Sequence, residues 1–151
     1  MARVRGFEFP ADLRYLLEQD TWARLEADGH VTVGLTSLGA HISGEFIEFI
    51  PKPVGTRIER DRSLGALEMS KVIRSARAPV AGEVMLVNAA VRDTPGLINT
   101  DPYGEGWLVR LRPEDWQRDA ALLVTAGDIG PAALAYMELL AESFGVDVPP
   151  A

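Results

Sequence analysis

The chain has 151 residues, a formal net charge of −7 and no cysteine. That length suits one domain able to bury a core without covalent staples, and the missing thiols exclude disulfides and thiolate metal sites. The acidic balance argues against nucleic acid and anionic membrane surfaces as partners, and no apolar run approaches transmembrane length.

Met1 to Gly6 holds two arginines, but Phe7-Glu8-Phe9-Pro10 follows where a signal would need an apolar core. With the lack of cysteine, this suits a cytoplasmic protein. Pro10 to Glu18 predicts a short helix opened by proline. Trp22 to Glu26 alternates as a strand, and Asp28-Gly29 predicts a type I′ turn. His30 to Thr36 returns as a strand with Val31, Val33 and Leu35 on one face. Glu45 to Ile50 is a further strand, stopped by Pro51-Lys52-Pro53. Short strands follow at Arg57 to Glu59, Leu64 to Met69, Ile73 to Arg77, Glu83 to Val87 and Trp107 to Leu111. Turn signals at Asp61, Ala81-Gly82, Pro95-Gly96 and Asp101-Pro102 punctuate them, a pattern of sandwiches and barrels.

The last third changes character. Pro113 to Val124 predicts a helix with Trp116, Ala120 and Leu123 near one face. Gly130-Pro131 opens a second helix, and Gly145 lies just past its end. Its expected apolar stripe is Leu134, Met137, Ala141 and Phe144. Val146 to Ala151 reads as a frayed tail.

Thirteen arginines stand against two lysines, Lys52 and Lys71. Lys52, between prolines, reads as solvated loop. Lys71 lies between two short apolar arms, at the tip of a predicted β-hairpin. An ε-amine there can be acylated, which a guanidinium cannot. Two registers stay open. A Ser70-Lys71-Val72 turn sets Glu68 opposite Arg74, an opposite-charge pair; a Lys71-Val72 turn sets it opposite Ser75. Both put Lys71 in solvent.

Val54-Gly55, Gly65, Glu68-Met69-Ser70-Lys71-Val72, Ala78-Pro79-Val80-Ala81-Gly82-Glu83-Val84 and Val87-Asn88 resemble a lipoyl domain. A wider set is similar to the H proteins of glycine cleavage, from about Leu13 to Leu111. It comprises Tyr15, Trp22, Val31 to Thr36, Gly44-Glu45, Pro95 to Asn99 and Asp101 to Leu108. The resemblance implies a mainly β protein, a flattened β-barrel or barrel-sandwich hybrid with a short N-terminal helix and C-terminal helices. It implies one lipoyl-carrier domain over 1–151, with a β core at 13–111 and a helical extension at 113–145. Lipoate would be held as an amide on Lys71. Lipoate ligase or lipoyl assembly enzymes would recognise Glu68, Met69, Ser70 and Val72, and Gly65 and Gly82 would be hairpin or turn glycines. Such a carrier makes no bonds itself, so no catalytic residue and no metal are expected. The acylated lysine loses its charge and becomes a swinging arm.

The chain departs from the glycine cleavage pattern. Gln19-Asp20-Thr21-Trp22 stands where His-Glu-Trp is usual, with one extra residue. Glu68-Met69-Ser70-Lys71-Val72 stands where Glu-Ser-Val-Lys-Ala is usual at the attachment lysine. Asp61 takes the place of a turn glycine, a residue that tolerates the left-handed conformation. At these points the chain resembles more closely the lipoate-binding proteins of sulfur oxidation, which work with a heterodisulfide-reductase-like complex, and this is the preferred reading. One alternative is a glycine cleavage H protein carrying an aminomethyl group among the glycine cleavage enzymes and dihydrolipoamide dehydrogenase. Another is an unmodified H-like scaffold. Biotin acceptors usually flank their lysine with methionines, and here Ser70 and Val72 do so instead.

Other residues offer little chemistry. His30 and His41 have no metal-ligand spacing, and no nucleophile elbow, P-loop or zinc-protease motif is present. Gly104-Glu105-Gly106 reads as a turn. Tyr103 and Trp107 are candidates for the wall of an arm-resting groove, with core packing favoured for Trp107. Arg74 and Arg77 either guide an acidic partner or solubilise their strand.

Overall fold

A computed structural model describes residues 2–146; the tail expected beyond Val146 lies outside the described residues. The chain opens with a hairpin that strand alternation did not reveal. β1 (Ala2–Val4) pairs with β2 (Phe7–Phe9) around Arg5 and Gly6, both at positive φ (48° and 87°). Two left-handed residues in a row suit a two-residue hairpin turn, because their twist matches that of the strands.

The short helix expected over Pro10 to Glu18 does not form. β3 (Arg14–Leu16) occupies the segment and pairs with β4 (Thr21–Leu25), and only Leu17–Gln19 makes a single 3-10 turn. Leu13, Tyr15, Leu16 and Leu17 are all buried, and Tyr15 exchanges backbone hydrogen bonds with Val124 (3.0 and 2.9 Å). A partner more than a hundred residues away thus overrides a weak local propensity. β4 turns back into β5 (Val31–Leu35) at Asp28-Gly29, but through a three-residue loop. Gly29 N–H donates to Glu26 O (3.0 Å) and Glu26 N–H to His30 O (2.8 Å). Only Gly29 has positive φ, so the turn is not type I′.

The remaining elements are α1 (Ser37–Ser43), β6 (Phe46–Pro51), β7 (Arg57–Ile58), β8 (Ser63–Met69), β9 (Ile73–Arg77), β10 (Gly82–Val87), α2 (Ala89–Asp93), α3 (Leu97–Thr100), β11 (Val109–Pro113), α4 (Trp116–Ala120) and α5 (Ile129–Phe144). One antiparallel sheet runs β3-β4-β5-β11-β10-β7, and a second runs β6-β8-β9. They are not hydrogen-bonded into a closed barrel, but both turn residues into one apolar cluster, including Val33, Leu35 and Leu111 from the larger sheet and Phe49, Leu64 and Leu67 from the smaller. The architecture is therefore the expected mainly β, flattened sandwich with helices at the C-terminal end.

Trp22 is fully buried, and its indole N–H donates to Leu35 O (2.8 Å) and Pro102 O (3.2 Å). Gly34 makes room for that ring, since a Cβ there would lie 2.5 Å from it. The helix predicted over Pro113 to Val124 shrinks to α4, because β11 claims residues up to Pro113 and Asp115 caps the helix through Arg118 N–H (3.1 Å). α5 ends as predicted, with Gly145 in the left-handed cap position. Its apolar face is rotated from expectation. Ile129, Ala133, Met137 and Leu140 are buried, whereas Ala141 and Phe144 of the predicted stripe are exposed. The helix docks on a second apolar cluster of Phe9, Leu13, Tyr15 and Leu17, into which Ile129, Ala133 and Met137 are fully buried.

Of the two glycines expected in hairpins or turns, Gly65 lies in β8 of the lysine hairpin, as its predicted strand requires, and Gly82, expected at a turn, opens strand β10; both are at negative φ. Their role is close approach. A Cβ on Gly65 would meet Ile50 O at 2.8 Å, and one on Gly82 would meet Arg112 O at 2.4 Å. The neighbour of Gly82 is backbone in the central β10–β11 ladder, so it cannot swing aside. Gly82→Ala is expected to destabilise the fold by about 1–3 kcal/mol through overpacking. Urea unfolding should show a lower midpoint at unchanged slope.

Candidate functional site

β8 and β9 form the hairpin that carries Lys71. Their register pairs Glu68 with Ile73, Leu67 with Arg74 and Ala66 with Ser75. Met69 N–H donates to Val72 O (2.9 Å), which leaves Ser70 and Lys71 as the two central residues of the turn. Neither of the two sequence-derived registers is adopted. Ser70 and Lys71 both avoid positive φ, so the tip is not one of the mirror-image turns that match strand twist. Side anchors hold it instead. Met69, expected as a recognition residue, is buried in the main cluster and roots the tip there. Ser70, Lys71 and Val72 are exposed, and Glu68 is half-buried.

The second anchor is Arg74. Sequence pairing offers it Glu68 as a cross-strand partner, but in the observed register it stands opposite buried Leu67 and reaches Asp20. Both terminal guanidinium nitrogens donate to Asp20 Oδ2 (3.2 Å each). Nη1 also donates to Ser43 Oγ (3.0 Å) and Nη2 to Gln19 O (3.2 Å). Tyr136 O–H on α5 donates to Asp20 Oδ1 (3.0 Å). Asp20 sits at φ 64°, directly after the 3-10 turn, and is buried. Its own N–H donates to Leu17 O and its carbonyl accepts from Thr36 N–H at 2.8 Å. Gly39 on α1 lies so close that a Cβ there would be 2.4 Å from Asp20 Cβ. One residue, through its carboxylate and its backbone, therefore joins the β3–β4 connection, α1, the hairpin and α5.

Burial pushes the Asp20 carboxyl above its ordinary value, while the Arg74 charge and the Arg74 and Tyr136 hydrogen bonds pull it back. Burial, and then the Asp20 charge, push the Tyr136 hydroxyl up. In the sequence Asp20 stands out only as part of an extra residue before Trp22, and Tyr136 does not stand out at all. That extra residue was the available signal.

The other singled-out residues lie away from this site's chemistry. Arg77 Nη1 donates to Asp61 O (3.0 Å), and Asp61 does take the left-handed conformation, at φ 65°. Tyr103 O–H donates to Glu8 O (2.6 Å) and accepts from Ser37 N–H (3.1 Å); Trp107 lies under the Arg110 guanidinium. Both pack against the second apolar cluster. His41 stands edge-on to Phe7, and His30 lies beside Asp28. Among the described residues no cluster of acidic and histidine side chains is arranged to hold a metal, and no helix is long and apolar enough to cross a membrane.

What this arrangement offers is an exposed primary amine at the apex of a rigidly based hairpin. Lys71 makes no ion pair or hydrogen bond within the described residues, and Ser70, Val72 and Ile73 beside it are exposed. That fits covalent attachment of a long group, which needs reach on one side and a fixed base on the other.

Residues 13–132 match the glycine cleavage H-protein family. The H protein 5 of Aquifex aeolicus is 36% identical over 130 residues, covering 83% of this chain and 87% of the relative. The H protein of Halorhodospira halophila is 36% identical over 135 residues, covering 89% of this chain and 97% of the relative. The crystal structure of a glycine cleavage system H protein from Mycobacterium marinum superposes with a TM-score of 0.69 at 29% identity, covering 91% of this chain and all of that one.

The ion pair at the hairpin base can be tested by removing its cation. Arg74→Met strands Asp20 in a buried site, which costs about 3–5 kcal/mol at neutral pH. Without the charge that pulls it back, the Asp20 folded-state pKa rises further above its unfolded value. The folded state then takes up a proton that the unfolded state lacks. Stability of Arg74→Met should be greatest in acid, below the unfolded carboxylate range, and should fall as pH rises through the folded value. Denaturant midpoints of wild type and variant across the acid range should converge toward low pH.

Proposed function

The chain belongs to the glycine cleavage H-protein family, and on that premise we propose that Lys71 is its lipoylation site and that the chain carries the aminomethyl group of glycine cleavage. Proteins of this family are lipoyl carriers with lipoate amide-linked to a lysine. Lys71 is one of only two lysines in the chain, and it alone stands at a hairpin apex, between exposed Ser70 and Val72. That placement is the observation that carries the reading.

The sequence departures favour sulfur oxidation with a heterodisulfide-reductase-like complex. Two findings weigh toward glycine cleavage instead. The relatives bear glycine cleavage names along nearly their full length. The departure before Trp22 also has a structural use inside this chain, since Asp20 holds Arg74 and the hairpin base. It therefore does not call for a different set of partners.

The residues divide the work simply. Lys71 presents Nζ to an acylating enzyme, and amide formation removes its positive charge. When bound, lipoate supplies a disulfide that opens to two thiols able to take a carried group. Met69 and Arg74 anchor the hairpin just below its turn, so reach would come from the arm itself. The absence of cysteine leaves no thiol in the chain to compete in disulfide exchange.

Intact mass decides the first part. Co-production with lipoate ligase should add a lipoyl increment to wild type and none to Lys71→Arg; an unmodified wild type would favour a scaffold role. For the second part, the lipoylated protein is incubated with glycine, pyridoxal phosphate and glycine decarboxylase. Aminomethyl loading, read as a further mass increment with release of carbon dioxide, is the expected result. Failure of a fully lipoylated sample to load would return the reading to sulfur oxidation.

A further inference from the structure

The outward face of the β6-β8-β9 sheet carries a feature that works against stability. Glu48 on β6 and Glu68 on β8 are direct cross-strand partners, so their side chains leave the same face. Like charges directly opposite destabilise a sheet. Among the described residues neither carboxylate has an ion pair or hydrogen bond. Lys52 and Arg92 border the same groove as Glu48, but neither comes within ion-pair distance. The nearest arginine along the hairpin, Arg74, is committed to Asp20. Around the carboxylates the face is apolar and open. Ile73, opposite Glu68, is 65% exposed, Ile50 is 48% exposed, and Ile47, at the β6 bulge, is 53% exposed.

We propose that the Glu48–Glu68 pair, ringed by Ile47, Ile50 and Ile73, is the docking surface for the enzyme that acylates Lys71, and that the pair receives an arginine or lysine of that enzyme. The proposal rests on Lys71 being the lipoylation site. Glu68 and Ile73 are the strand pair next to the Met69–Val72 closure of the turn that carries Lys71, so a protein that reaches the amine also covers this face. A cation set between two carboxylates relieves the repulsion that the free chain tolerates. Stability sacrificed at an exposed position is characteristic of a surface kept for function. Glu48 is the new element. It is distant from Lys71 in sequence and becomes its neighbour only through the β6–β8 register.

The test is the steady-state kinetics of lipoylation of the unmodified chain by lipoate ligase with ATP and lipoate, followed by intact mass. Glu48→Gln should raise the KM for the carrier about tenfold with little change in kcat, and Glu48→Lys should raise it further. Both variants should unfold at the wild-type temperature or above it, because the repulsion is gone; this separates lost docking from lost folding. Glu142→Gln, an exposed carboxylate on α5, serves as the neutral control. Wild-type KM in Glu48→Lys would overturn the docking assignment and leave Lys71 as the lipoylation site. Unchanged acylation with impaired aminomethyl loading would give the face to another occupant and likewise overturn it. A wild type that takes up no lipoyl group would remove the premise and the proposal together.

Discussion

The contact between Arg74 and Asp20 decides where the lysine hairpin points. A two-stranded tip without left-handed turn residues has little of its own to fix its direction, and β9 is an edge strand. The guanidinium three residues beyond Lys71 ties that edge to a carboxylate from the β3–β4 connection. Since Asp20 also holds Tyr136, Thr36 and the 3-10 turn, the hairpin shares its foundation with α1 and α5. The acylable amine thus stands at the end of an exposed side chain, while the hairpin beneath it is anchored.

A buried ion pair of this kind contributes little net stability, because desolvating two charges offsets most of their attraction. Its clearer effect is on orientation. Arg74 commits both outer nitrogens to partners from two elements, Ser43 at the end of α1 and the Gln19-Asp20 turn. No apolar pair would hold the hairpin edge in one direction with comparable geometric definition. The opposite face of the same hairpin is arranged the other way. There two carboxylates are left facing each other without a cation. The inner face closes its charge on the protein, and the outer face leaves its charge open to a partner.

Close packing sets the limits within which this works. Gly34 seats the Trp22 ring, Gly65 lets β8 lie against Ile50, and Gly82 lets β10 lie against Arg112. These glycines are needed for absent side chains and not for unusual dihedrals. That is why turn chemistry alone places Gly82 at a turn when it opens strand β10. The same distinction explains α5. Its periodicity allows more than one apolar stripe, and the stripe actually buried is the one whose small Ala133 fits against the cluster of Phe9, Tyr15 and Leu17. The N-terminal hairpin was equally open to detection in Phe7-Glu8-Phe9, but three-residue strands carry too short an alternation to stand out.

Composition, strand alternation and the punctuating prolines and glycines were sufficient to identify a mainly β chain, to place most of its strands, and to single out Lys71 as an exposed amine on a hairpin. Those properties are local: alternation and turn residues act within a few positions, and a lysine at a chain reversal reaches solvent in any register. Tertiary structure alone decided the register that sets Glu68 against Ile73 and Glu48, the loss of the N-terminal helix to pairing with Val124, and the turning of Arg74 toward Asp20. Each of these depends on which distant group competes best for a hydrogen bond, a charge or a packing space. That competition is resolved only when elements far apart in the chain are brought into contact.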